Sequence, residues 1–190
     1  AHFKLHRSLF TILPSITRVF LFSAANNEHP KMKKRFFLPV LLLLTLFRSL
    51  PAQSPIRYHV TPTDVHQHEV TVDVEFAELT VDTLELRMPA GSPGRYAVHH
   101  FAKNIYDFQA TDADGKALPI LQKELSAWQI PAPNGYVRFT YTLFGDHADG
   151  TYTGIDNRKL HLNMPAGFVY APQLPDRPVE LSFDLSNHPD

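Results

Sequence analysis

The sequence predicts an all-β fold: an antiparallel β-sandwich-like domain with one short helical turn, preceded by a signal peptide. Three observations predict it. From Arg57 onward apolar residues recur with a spacing of two, turn dipeptides interrupt these runs at short intervals, and a basic then apolar segment stands ahead of them. A spacing of two puts alternate side chains on opposite faces of a strand, one buried and one in water.

The basic and apolar segment comes first. Met32 opens "MKKRFFLPVLLLLTLFRSLPAQS", with three positive charges, an apolar run from Phe36 to Phe47, then small and polar residues. This is the order of a secretory signal peptide, so residues 32–52 are expected to be removed after Ala52. The run has 12 residues and stops at Arg48, short of the roughly 20 that span a bilayer. The mature chain is therefore expected to be exported, periplasmic or extracellular, with no stable membrane span. Residues 1–31 read as an over-extended gene start, with Met32 as the initiator. The alternative is a genuine N-terminal region with a second apolar patch around Leu9 to Phe22.

Charge divides at the same place. Up to Ala52 there are eight Lys or Arg against one acid, a net +7, while from Gln53 ten basic residues face eighteen acids, a net −8. An acidic globular part supplies no cationic face for a phosphate backbone, which excludes nucleic acid as a partner. The chain holds no cysteine, so export brings no disulfide and the domain rests on its core. Residues 53–190 are enough for one such core.

The strand candidates follow in order. "YHVTP", "HEVTVDVEFAEL" and "DTLELRMP" alternate, with Val70, Val72, Val74 and Phe76 on one face. Further candidates are Ile105–Thr111, Ser126–Ile130, Tyr136–Leu143, Lys159–Leu162, Phe168–Tyr170 and Val179–Leu185. Asp114-Gly115 and Asn134-Gly135 are hairpin dipeptides, because their turns require positive φ. "AVHHFAKNI" is the one stretch that looks helical. Val179, Leu181, Phe183 and Leu185 alternate with polar residues shortly before Asp190. A strand of that kind needs a neighbour, so more polypeptide is expected beyond Asp190.

The candidates for chemistry begin with the glycine-, proline- and histidine-rich stretch Met88–Asn104. "GSPGRY" lacks the Lys-Ser/Thr of a phosphate loop, and Pro93 removes a donor N–H where such a loop uses one. His66-Gln67-His68 would place two imidazoles on one face of a strand, but spacing names no third ligand. His68-Glu69 imitates the start of H-E-x-x-H, yet Val72 stands where the second His belongs, in a strand pattern. Ser92 sits in no G-x-S-x-G elbow. "DHADGTYTGIDN" offers oxygens to a calcium ion, in no EF-hand spacing, and Asp and Gly are ordinary turn residues. No catalytic and no metal-ligating residue is assigned.

The segment from Thr83 to Tyr170 resembles the N-terminal domain of the glycyl-aminopeptidase family of zinc metallopeptidases. The resemblance is carried by "LELRMPAGSPGRYAVHHFAKNIYDFQATDADGKAL", by "SAWQI" with the sole Trp128, and by "VRFTYTLFG". Gly91 departs from the aromatic residue the family places before the Ser-Pro-Gly turn. His99 or His100 replaces the basic residue common after the Tyr.

In that family a β-domain precedes a gluzincin catalytic domain and often a PDZ domain. The resemblance implies a zinc peptidase for the parent chain, with zinc in a catalytic domain C-terminal to Asp190, and no catalysis by this segment, which lacks H-E-x-x-H. It implies a β-domain packed beside the catalytic domain and walling a cleft for peptide substrate. Arg95 and Tyr96 on the 88–104 loop are the candidate substrate-binding residues, as an ion-pair partner for a peptide carboxylate and an aromatic contact. The plain structural alternatives are, for Tyr96, a ring packed at a sheet corner with its hydroxyl satisfied and, for Arg95, a solvated charge. A different class of function stays open: a stand-alone secreted β-sandwich that binds a carbohydrate or a protein, using the 12% aromatic content.

Overall fold

The computed structural model describes residues 53–186; the expected gene start (1–31) and signal peptide (32–52) lie outside the described residues. Two sheets enclose one core. The larger has the strand order β10-β1-β2-β7-β4 and the smaller β3-β6-β5. Their strands are β1 (Ile56–Asp64), β2 (Glu69–Phe76), β3 (Thr83–Arg87), β4 (Ile105–Thr111), β5 (Leu121–Glu124), β6 (Ala127–Pro131), β7 (Val137–Phe144) and β10 (Val179–Phe183). A two-residue ribbon, β8 (Gly154–Ile155) with β9 (Leu160–His161), and an α-helical turn α1 (Met164–Gly167) complete the chain.

The alternation read from the sequence decides what is buried. Val70, Val72, Val74 and Phe76 of β2 face inward, as do Val137, Phe139, Tyr141 and Leu143 of β7 and Ile56, Tyr58 and Val60 of β1. From the other layer come Leu84 and Leu86 of β3 and Trp128 and Ile130 of β6. The indole of Trp128 packs on Phe108 of β4 at 5.2 Å and Phe139 of β7 at 6.4 Å between ring centroids, joining the two sheets. The outward face of the larger sheet is polar, with Arg138 donating to both carboxylate oxygens of Asp73 at 2.8 and 2.9 Å.

β4 departs from a spacing of two. Its pairing with β7 slips between Tyr106 and Gln109. Asp107, at φ 53°, is the extra residue, a bulge that moves Phe108 to the core side. Outside the slip, Tyr106 donates its hydroxyl to the Glu69 carboxylate.

Several expectations are corrected. β10 runs parallel to β1, with Val179, Leu181 and Phe183 opposite Ile56, Tyr58 and Val60; every other strand pair is antiparallel among the described residues. Asn134-Gly135 makes the expected turn, Gly135 at φ 66° donating to the Ala132 carbonyl. It is not a hairpin, because β6 and β7 lie in different sheets and the turn carries the chain across the core. Asp114-Gly115 closes a turn capped by the Asp112 carboxylate, and only the single bridge Thr111–Ala117 pairs its flanks. Phe168–Tyr170 is extended but bridges only at Tyr170, to Arg87. β5 and β8 escaped the sequence reading, β5 because an exposed edge strand needs no apolar alternation. "AVHHFAKNI" yields a 3-10 turn over Phe101–Asn104, and the α-helical turn lies instead at Met164–Gly167, opened by Pro165.

The segment after α1 is fastened by two buried tyrosines. Tyr58 donates to the Val169 carbonyl at 2.8 Å. Tyr141 donates to the Gly167 carbonyl at 2.7 Å and accepts from the Val169 N–H at 3.4 Å. Burial raises both phenols, Tyr58 to about 12. Tyr106 also rises to about 12, through desolvation first and the Glu69 carboxylate second.

Two outcomes are expected. Tyr141→Phe leaves two buried backbone groups without their partner and should lower stability by about 1–3 kcal/mol in urea unfolding. An unfolded tyrosine ionises near about pH 10. The stability these phenols add is therefore complete below that value and is lost as the pH rises toward about 12. An unfolding midpoint that holds constant through this alkaline window would contradict the assignment.

Candidate functional site

The loop that carries Arg95 and Tyr96 begins at the end of β3. Ser92-Pro93-Gly94-Arg95 forms a β-turn in which the Arg95 N–H donates to the Ser92 carbonyl at 3.0 Å and Gly94 sits at φ 78°. Pro at the second position and a positive-φ Gly at the third are the requirements of a type II turn. The loop closes when the His99 N–H donates to the Ala90 carbonyl at 2.7 Å. "MPAGSPGRYAVHHFAKN" is thus a strand end, a Ser-Pro-Gly corner and a 3-10 turn.

A second loop, residues 146–153, lies against this corner. Asp149 organises it: Oδ1 accepts the N–H of Thr151 at 2.6 Å and of Tyr152 at 2.7 Å. Those two bonds hold its carboxyl below the usual range, with His147 and Arg95 adding smaller favourable fields. His161 of β9 donates Nε2–H to the Asp149 carbonyl at 2.7 Å. Asn163 connects the two loops, its Nδ2 donating to the Thr151 carbonyl at 2.6 Å, with Gly150 O at 3.3 Å and Ser92 Oγ at 3.5 Å.

Aromatic packing fixes the remaining contact. His99 stacks on Phe101 at 5.3 Å and meets the Tyr152 ring edge-on at 5.4 Å. Its Nδ1 and the Tyr152 hydroxyl share a hydrogen bond at 3.1 Å, and the Lys103 ammonium lies 5.6 Å from the Tyr152 ring centroid. Each contact depends on its neighbour, because Asp149 holds the Tyr152 backbone and Tyr152 in turn holds His99.

The two predicted binding residues sit together on this corner but differ in surroundings. Arg95 reaches back to the second loop, its Nη2 lying 3.0 Å from where a side chain on Gly150 would begin. Tyr96 is fully exposed, and Val98 beside it is two-thirds exposed. The ring of Tyr96 is therefore not packed at a sheet corner. Sequence reasoning missed Asp149, Tyr152, His161 and Asn163. The legible signal was Asp149-Gly150-Thr151, an Asx-type turn sequence whose Asp and Gly read as ordinary turn residues beside a possible cation loop, without the partners that the turn acquires.

The other candidates are structural. His66 lies in a 3-10 turn and His68 is left-handed at φ 63°, so the pair does not share a strand face. His68 Nδ1–H donates to the Ile155 carbonyl at 2.5 Å and anchors β8. Asp156 Oδ1, like Asp149 Oδ1, accepts backbone N–H groups, from Arg158 at 2.7 Å and Lys159 at 3.0 Å. Among the described residues no three His, Cys, Asp or Glu side chains gather as a metal ion requires.

The fold and loop cluster define a class: a two-layered β-domain that presents two interlocked loops at one corner. The chain belongs to the peptidase M61 N-terminal domain family, matched over residues 57–189. Its fold is similar to that of an aminopeptidase N family protein from Idiomarina loihiensis, with 25% identity and a TM-score of 0.64 over 68% of this chain. The chain spans only 22% of that protein's length. No curated protein matches it.

Acid should loosen the corner in a defined order. The lowered Asp149 carboxyl supports the loop above its unfolded range, and that support is lost as the pH falls through its lowered value. Amide protection at Thr151 and Tyr152 should persist through the ordinary carboxylate range and collapse only below it. Early collapse would contradict the Asp149 role. Tyr96→Ala should change stability by less than about 0.5 kcal/mol, being free of contacts. Tyr152→Ala should cost more than that in the same melt.

Proposed function

We propose that this chain is the non-catalytic N-terminal β-domain of an exported zinc metallopeptidase of the glycyl-aminopeptidase type. It packs beside the catalytic domain of its own polypeptide, C-terminal to Asp190, and walls one side of the peptide cleft. The observation that carries the reading is membership of the peptidase M61 N-terminal domain family over residues 57–189. The structural neighbour, 25% identical, gives a second support, because there a fold of this kind is a fraction of a much longer chain. Zinc and the hydrolytic groups belong to the catalytic domain, and this domain supplies shape and contacts.

Arg95 and Tyr96 are the residues proposed to meet substrate. The Arg95 guanidinium suits a peptide carboxylate, and a protruding Tyr96 ring offers apolar area without first breaking other contacts. A sugar platform is less well supported, because Trp128, Phe76, Phe101, Phe139 and Tyr141 are all committed to the core. Export and a periplasmic or extracellular location rest on the basic and apolar segment from Met32. Among the described residues no helix is long and apolar enough to cross a membrane.

The intact gene product should cleave glycyl peptides in a chelator-sensitive reaction, and the 190-residue chain alone should not. In the intact enzyme Arg95→Ala and Tyr96→Ala should raise KM several-fold with kcat little changed, the mark of lost binding shared by ground and transition states. Chelator-sensitive cleavage by the 190-residue chain would overturn the proposal.

A further inference from the structure

The apolar side of β10 is uncovered, and its sequence says that it should not be. Val179, Leu181 and Phe183 stand opposite Ile56, Tyr58 and Val60 in a parallel pairing, where paired residues share a face. The three β1 residues are core, at most 6% exposed. Their β10 partners point to the same side yet are 55, 39 and 47% exposed, and Leu185 continues the row at 48%. The alternate residues behave as a normal outer face: Glu180 pairs with Arg57 at 3.1 Å and Ser182 bonds His59 at 2.9 Å. The first layer therefore extends one strand beyond the second, and the overhanging strip is apolar.

A groove of about 300 Å³ runs beside the strip, lined by Pro62, Val65, Leu160, Phe183 and Leu185. Its rim is the turn Asp156–Lys159. Asp156 is committed to the backbone N–H groups of that turn. Among the described residues Arg158 and Lys159 form no salt bridge. The surface is thus an apolar floor whose rim carries Arg158 and Lys159 beside the Asp156 carboxylate, net positive on a domain that is otherwise acidic. Contiguous apolar surface of this kind marks an interaction site.

We propose that this strip and groove are the docking surface for the catalytic domain of the same polypeptide, which meets them with an apolar element flanked by acidic side chains. The inference rests on the preceding reading and names the surface that reading requires. The occupant acts as a continuation of the second layer, covering Val179 to Leu185 as β3 and β6 cover the rest of the sheet. A second copy of this chain fits less well. A two-fold contact of the patch with itself adds a second Arg158 and Lys159 and no uncommitted acid at the rim.

Thiol labelling tests the placement, since residues 1–190 contain no cysteine. Leu181→Cys and, separately, Val179→Cys are made in the intact gene product and in the 190-residue chain, with Leu125→Cys, 78% exposed on the β5–β6 turn, as reference. Labelling is mapped to each position by mass spectrometry. In the 190-residue chain all three thiols should react at similar rates. In the intact product those at 179 and 181 should slow at least ten-fold while that at 125 is unchanged.

Equal rates in the intact product overturn the placement. So does protection already present in the 190-residue chain, which assigns the strip to a second copy or to the chain's own residues. Chelator-sensitive peptidase activity of the same preparation separates the two levels. An active peptidase with fast thiols at 179 and 181 loses only the docking surface, whereas a product without that activity loses the parent reading as well.

Discussion

Two buried phenols hold the architecture together. Tyr58 and Tyr141 rise from the larger sheet and bind the backbone of Gly167 and Val169. That segment then bridges to β3 through reciprocal Arg87 and Tyr170 backbone bonds at 2.8 Å. One chain segment is therefore fixed to both layers at once. Buried peptide groups need partners, and here the partners are side-chain hydroxyls, because among the described residues no strand of the larger sheet pairs with Gly167–Val169 to supply a backbone ladder. The Tyr58 ring also meets Phe168 edge-on at 5.5 Å, so the contact is apolar as well as polar.

The functional corner is downstream of this fastening. Asn163 immediately precedes α1, and its amide joins the 146–153 loop to Ser92. Fixing the chain at Gly167 and Val169 limits where Asn163 can stand. That in turn sets the Ser-Pro-Gly corner from which Arg95 and Tyr96 project. Position is transmitted by short backbone links and single hydrogen bonds.

How much of this was legible follows from which forces were local. β2 and β7 were readable because Val70 to Phe76 and Val137 to Leu143 alternate without interruption and are buried on one side. The corner at Ser92–Arg95 was readable because Pro and Gly restrict the backbone in themselves. What escaped depends on distant partners. Asn163 and His161 carry no pattern of their own and gain a role only when residues 149–152 fold beside them. The parallel direction of β10 and the crossing of layers at Asn134-Gly135 are choices of topology, which a two-residue turn signal leaves open. Resemblance to a peptidase N-terminal domain, carried by the Met88–Asn104 stretch and the strand around Trp128, was legible, and the family match supports it at that level. The contrast at β10 is instructive, since its sequence asks for a buried face and the described residues do not provide the cover.

The reading frame of the gene beyond the Asp190 codon tests the central claim most directly. The account predicts an in-frame continuation that encodes H-E-x-x-H and a downstream Glu, the ligand set of a zinc peptidase. A stop codon directly after Asp190 would contradict it and leave a free-standing β-domain.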